Sequence, residues 1–303
     1  MNSGLIIVGQ VLTLFFLLAV GLFMTRKGWI KDGGIATMNT LVMQITMPCM
    51  IVASFQMDYE PEILRELAAV LAVSLVAHGI LVLLGKLITR RYPRAVRQVF
   101  WYVLVFSNCA YMGYPLIEGL YGRMGVLYAS IYVIGFNLYC WTVGVGIFSD
   151  KGGGLKRALL NPGTLSVVVG LILFLARLRL PGPVNSAVTL LGNMTTPLSM
   201  LIVGARLGEV KPRELFAGRT IYLASLLRLV VIPLAGYGAL YLLGLRGLTL
   251  AIPVICMAMP AAAATQMFAE QYGGDGRLAS RFVAMTTGFS LATIPVLMSL
   301  LPM

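Results

Sequence analysis

The sequence predicts an all-α membrane protein of ten transmembrane helices in two inverted halves. Composition is the first reason: 59% of the 303 residues are apolar, only 11% are charged, and the mean hydropathy is +0.89. A soluble domain carries about 25% charged residues. The second reason is ten mostly apolar stretches near residues 4–25, 33–56, 63–88, 99–120, 123–149, 162–178, 183–207, 218–244, 247–271 and 277–301, each near the roughly 20 residues a span requires. The third is recurrence. Pro48 after Gln44-Ile45-Thr46-Met47 is answered 149 positions later by Pro197 after Asn193-Met194-Thr195-Thr196, and Tyr121-Gly122 returns 151 positions on as Tyr272-Gly273. Glu118 and Glu270 precede these pairs, and His78 is matched by Arg228. Five spans per half is an odd number, so the second half enters the bilayer from the opposite side, the inverted repeat of many secondary transporters. The halves divide at residues 1–150 and 151–303.

Span 1 has no basic residue before its apolar run and carries Arg26 and Lys27 after it, so it reads as an uncleaved span and not as a signal peptide. Spans 2 and 7 hold Pro48 and Pro197, and span 3 holds the lone histidine, His78. Span 4 contains Ser107-Asn108-Cys109-Ala110-Tyr111-Met112-Gly113-Tyr114-Pro115. Proline removes a backbone donor and collides with the preceding turn, and Gly113 frees the chain to leave helical geometry. The helix is expected to break there and to restart near Pro115, since proline suits a first turn. Span 9 repeats the event at Pro260. A break in hydrocarbon must line a cavity or be covered by protein. Two such breaks meeting at mid-membrane bring two half-helix N-termini together, which makes an anion site out of backbone. The competing reading is that Pro115 and Pro260 only kink continuous helices.

The net charge of +12 would suggest nucleic acid in a soluble protein, but its distribution points to topology. Connections after odd-numbered spans carry 17 of the 23 Lys and Arg residues, those after even-numbered spans carry five, and Arg228 lies within span 8. The positive-inside rule then places the odd connections in the cytoplasm and both termini outside. Cys49, Cys109, Cys140 and Cys256 fall within spans without metal-ligand spacing, so they read as small apolar fillers. One histidine and the absence of HExxH, paired mid-span aspartates and a P-loop exclude an intramembrane enzyme and an ATP-driven pump. Arg228 is the one basic side chain that no interface reaches, and burying it costs at least about 2.5 kcal/mol. No Asp or Glu lies mid-span, so its partner is a set of carbonyls, water or a bound carboxylate, and a structural clamp on span 9 is one reading. His78 reads either as a packing residue or as a proton-coupling group.

Asn108, Gly113, Pro115, Leu116 and Tyr121-Gly122 resemble the fourth-span signature of the auxin efflux carrier family, whose bacterial members include malonate and malate carriers. Met259-Pro260-Ala261-Ala262, Glu270-Gln271-Tyr272-Gly273-Gly274-Asp275, Thr293-Ile294-Pro295, Asn161-Pro162, and Arg228 with Pro233 are similar to the same family. The resemblance covers nearly the whole chain. It implies the broken, crossed helices 4 and 9 of the bile-acid-symporter and sodium/proton-antiporter type. Spans 1, 2, 6 and 7 would form a scaffold, and spans 3–5 and 8–10 a mobile transport domain. It also implies alternating access for a small organic anion, with malonate and malate as first candidates, in the plasma (inner) membrane. No cofactor is implied, and sodium or proton coupling stays open. Partners are the anion, the bilayer and, optionally, a second copy as a homodimer; nucleic acid is not among them.

Site candidates follow on that basis. Asn108, Gly113, Tyr114 and Pro115 belong to the first break, and Pro260, Thr265 and Gln266 to the second. Gln44, Thr46, Asn193, Thr195 and Thr196 would form the facing wall, shaped by Pro48 and Pro197, with Asn137, Tyr111 and Tyr114 as weaker candidates. Asn108 would either contact substrate or tie up backbone groups freed by the break. Many family members place an asparagine shortly after the ninth-span proline, where this chain has Ala263-Ala264-Thr265-Gln266, so the second half-site is expected to be less polar. The alternatives are a non-transporting sensor with the carrier fold and a cation-coupled exchanger. The latter is disfavoured by the lack of paired carboxylates.

Overall fold

A computed structural model describes residues 3–31, 33–58, 60–149, 154–209 and 218–301. Lys151, Lys211 and Arg213 of the charge census, and the division between the sequence halves at 150/151, lie outside the described residues. All described regular structure is helical apart from one isolated β-bridge. We number the helices α1 (Ser3–Arg26), α2 (Gly34–Ser54), α3 (Pro61–Thr89), α4 (Arg94–Val105), α5 (Cys109–Phe148) and the short α6 (Leu155–Leu159). They continue as α7 (Pro162–Leu175), α8 (Gly182–Glu209), α9 (Arg219–Leu242), α10 (Gly247–Ala258), α11 (Ala264–Gln271) and α12 (Gly276–Met298). Among the described residues, seven of these are long and apolar enough to cross a membrane, while α7 and α10 are shorter apolar helices. The expected gap between spans 4 and 5 falls inside α5, where Gly122 interrupts the helix (φ 59, ψ −151) in a region that side-chain-bearing residues rarely adopt.

Proline shapes the helices in a regular way. Three of the four widened π-type turns among the described residues, Val42–Thr46, Cys109–Gly113 and Leu227–Val231, end two residues before a proline, Pro48, Pro115 and Pro233, while the fourth, Cys140–Gly144, has none after it. A proline cannot donate to the carbonyl four residues back, and its ring presses on that carbonyl. Adding one residue to the preceding turn moves the carbonyl aside while the helix continues. Pro197 is accommodated differently, in the first turn of the segment Thr195–Glu209 that follows an offset at Met194. Pro253 and Pro295 lie inside α10 and α12 with no widened turn.

Both expected interruptions are present, and one is displaced. The chain leaves helical geometry at Phe106 (φ −103, ψ 111) and resumes at Cys109; the second interruption separates Ala258 from Ala264 and contains Pro260. Gly113 is itself helical (φ −65, ψ −51), so the expectation that it releases the chain is corrected. The ring of Pro115 is absorbed by the widened turn, and the break comes before that turn, where Phe106 adopts an extended backbone to pair with the second interruption.

The α1–α8 seam is built on glycine. A Cβ at Gly21 would run into the Leu201 backbone, and one at Gly204 would meet the Leu18 carbonyl. Gly208, one turn beyond Gly204, faces Thr25. Small residues four apart let two helix backbones approach this closely, and in lipid such van der Waals contact drives helix association. Elsewhere α2 packs on α7 and the first half of α8, α3 packs on α4 and α5, and α11 packs on α12. The connection after α2 is tied to the one before α8 by an Arg179–Asp58 ion pair of 2.6 Å and by Leu180 N donating to Gln56 Oε1 at 2.8 Å.

Gly204→Ala should lower stability by about 1–3 kcal/mol, the usual range for overpacking a tight contact. It should read out as a reduced melting midpoint in detergent. Gly9→Ala, on the partner helix α1, has open space within 4 Å and should be neutral or slightly stabilising.

Candidate functional site

The interruptions lie side by side. Ser107 and Ala261 form an antiparallel bridge, Asn108 N donates to Pro260 O at 2.7 Å, and Ala262 N donates to Phe106 O at 3.0 Å. Ala261 N donates to Thr286 Oγ1 on α12 at 3.1 Å, and Asn108 O accepts from Met112 N and Gly113 N, each at 3.1 Å. Thr265 Oγ1 donates back to Ala262 O at 2.5 Å. Arg228 on α9 supplies three more donors, Nε to Met259 O at 3.1 Å, NH1 to Leu104 O at 3.0 Å and NH2 to Met257 O at 2.9 Å. Backbone groups freed by the breaks are thus paired across them, as a low-dielectric setting demands. The clamp reading of Arg228 extends further than the sequence suggested, since Leu104 lies in α4 and the two methionines at the end of α10.

One polar atom at the junction is left over. Asn108 is 3% exposed and its Nδ2 has no hydrogen-bond partner. It lines a cavity of about 20 Å³ with Arg206, Ala263, Gln266, Ser280 and Thr287, room for about one water molecule. That cavity shares Arg206 and Ala263 with a much larger one of about 590 Å³. Asn39, Gln44, Tyr111, Trp141, Asn161, Ala264 and Met267 contribute to the larger wall, together with the cations Lys156, Arg157 and Arg206 and, among the described residues, no carboxylate. Arg206 NH1 also contacts Glu209 Oε2 at 3.1 Å, and Arg157 NH1 donates to Tyr272 Oη at 3.0 Å.

The remaining sequence candidates are dispersed. Gln266 sits in the small cavity and donates to Glu270 Oε1 at 2.8 Å, while Gln44 is an exposed part of the large one. Gly113 packs against Met259 and Cys109, and Pro115 and Pro260 are buried. Tyr114, Thr46 and Thr195 are fully buried, each with an unpaired hydroxyl, and line none of these cavities. Thr196 Oγ1 donates to Glu118 Oε2 at 2.7 Å. Glu118 and the exposed Asn193 share a separate cavity of about 10 Å³ with Arg123. Asn137 Nδ2 donates to Thr164 Oγ1 at 3.2 Å, and Pro48 and Pro197 are half-buried. His78 is packed among Phe106, Tyr132, Phe136 and Tyr139, with Nδ1 2.7 Å from Ser74 O. Sequence reasoning missed Lys156, Arg157 and Arg206 as site residues, because it spent them on topology. Arg206 carried a usable signal, since it falls inside the seventh apolar stretch.

The sequence model of a family described as membrane transport protein matches residues 6–156 and 154–298, nearly all of the chain. The chain belongs to this family. It is 26% identical to an uncharacterised transporter of Methanothermobacter thermautotrophicus over 297 residues, covering 94% of this chain and 95% of the relative. A second uncharacterised transporter, from Methanocaldococcus jannaschii, is 25% identical over the same shares of both chains. A probable auxin efflux carrier component 5c of Oryza sativa subsp. japonica is 31% identical over 151 residues, 48% of this chain and 40% of the relative. The resemblance to auxin efflux carriers read from the motifs is borne out, and the protein is a membrane transporter and not an enzyme.

Thr286→Val keeps the side-chain shape and removes the acceptor of Ala261 N. It should cost about 1–3 kcal/mol for a buried donor left unpaired, seen as a lower melting midpoint, and Thr286→Ser should restore most of it.

Proposed function

We propose that this protein is a secondary carrier of a small organic anion, which binds where the two interruptions meet and reaches that point through the large cavity. The observation that carries the reading is the buried Asn108 Nδ2, a donor with no partner beside the starts of α5 and α11. A helix start offers free N–H groups and about half a positive charge, and a bare amide donor next to two of them suits a carboxylate. The wall, which among the described residues carries three cations and no carboxylate, favours entry of an anion. Short dicarboxylates such as malonate and malate are the first class to screen.

In this reading ten crossings form two inverted five-span repeats, with α5 providing two crossings joined at Gly122. Helices α1, α2, α7 and α8 act as a scaffold, supported by the glycine seam and the Arg179–Asp58 tie. Helices α3–α5 and α9–α12 move as a transport body held together at the breaks. The large cavity opens beside Lys156, Arg157 and Arg206, on the side the charge pattern assigns to the cytoplasm, so this conformation faces inward. The Thr196–Glu118 hydrogen bond then closes the opposite side, where α5 meets α8. The protein resides in the plasma membrane with both termini outside, and a homodimer is compatible with it.

A thermal-shift screen of the purified protein against short carboxylates should raise the melting midpoint for at least one of them, and proteoliposomes should take up the same compound. Asn108→Ala should raise the half-saturation concentration by about tenfold or more, corresponding to a lost charge-assisted hydrogen bond of about 1.5–3 kcal/mol, with unchanged folding. Binding without flux would turn the reading into a sensor. Unaltered uptake by Asn108→Ala would move the site elsewhere.

A further inference from the structure

Arg228 is 1% exposed in the middle of an apolar span, and its three recorded hydrogen bonds all go to backbone carbonyls. The two ion pairs recorded among the described residues, Arg179–Asp58 and Arg206–Glu209, do not involve it. The carbonyls are of one kind. Leu104 is in the last turn of α4, Met257 in the last turn of α10, and Met259 directly follows that helix. Helix ends of this type present free carbonyls with partial negative charge. Two of them side by side in hydrocarbon make a natural cation site, and in carriers with discontinuous helices such ends hold the coupling ion.

In this protein the site is already filled by a side chain. The planar guanidinium reaches both helix ends at once with fixed donors, and arginine keeps its proton under ordinary conditions. Its charge stays with the junction, because Met259 adjoins Pro260, whose carbonyl accepts from Asn108 N. We propose that Arg228 is a resident cation standing where a coupling ion would bind, so that an anion at Asn108 needs no co-bound sodium. This rests on the anion-carrier reading for its consequence in transport, whereas the occupation of the carbonyls can be tested without any substrate.

Melting midpoints of purified wild-type protein, Arg228→Ala and Arg228→Lys are compared in sodium chloride and in choline chloride, with and without millimolar methylguanidinium. The wild type should melt at the same temperature in both salts. Arg228→Ala should melt lower in choline and regain several degrees with sodium or methylguanidinium, a response that lost packing alone would not produce. Stabilisation of the wild type by sodium, or an Ala variant indifferent to both ions, would overturn the proposal. If Arg228→Ala does not fold, Arg228→Lys decides: its ammonium should still fill the carbonyl site and leave melting insensitive to sodium, and a sodium-stabilised Lys variant would sink the idea. In proteoliposomes the wild type should take up the anion equally in sodium and choline, and sodium-dependent uptake would refute it. Salt-indifferent melting with no uptake of any carboxylate would remove the carrier reading and leave the occupied carbonyl site standing.

Discussion

Everything in this fold depends on closing two helix breaks without water. An interrupted helix in hydrocarbon exposes several polar backbone groups, each worth kcal/mol if unpaired. The structure solves both problems with one junction, a short antiparallel exchange between 106–108 and 260–262 flanked by Arg228 and Thr286. Each break supplies the partners the other lacks. These bonds join segments near residues 106–108 and 260–262, far apart in sequence, and add to packing that in lipid lacks the hydrophobic drive it has in water.

The same closure separates structure from function within a few residues. Pro260, Thr265 and the Gly113 N–H are consumed in holding the junction. Asn108 uses its backbone N and O in the same way but keeps its side-chain amide free. In the proposed anion site the polarity available to a ligand is therefore small, and half of the surrounding wall comes from α2, α6 and α8. A carrier needs such an arrangement, because a site that bound strongly through many groups would release slowly.

Much of the fold was legible because membrane constraints write themselves into composition. Apolar stretches pointed to the helices, and the matched prolines Pro115 and Pro260 pointed to an interruption in each of two stretches, the first of which falls earlier than expected. The detail at Gly113 was misread, since a glycine and a proline close together look like a hinge while the structure uses an extended Phe106 instead. Arg228 was visible as a lone span cation, although its three carbonyl partners come from distant segments and no spacing rule announces them. The cationic wall was illegible for a different reason. The positive-inside reading already accounted for Lys156, Arg157 and Arg206, and a residue with one explanation hides a second.

The widened turns have a further effect on how the chain can vary. Each contains one residue more than a regular helix requires, and the wider winding absorbs it so that the flanks stay nearly in phase. Removing one position from Leu227–Val231 would restore ordinary winding but press the ring of Pro233 back onto the carbonyl four residues before it. Point substitutions keep the extra residue and the relief it gives. Length at these turns is therefore the more tightly held quantity, and single-residue deletions there should be far less tolerated than exchanges of side chain.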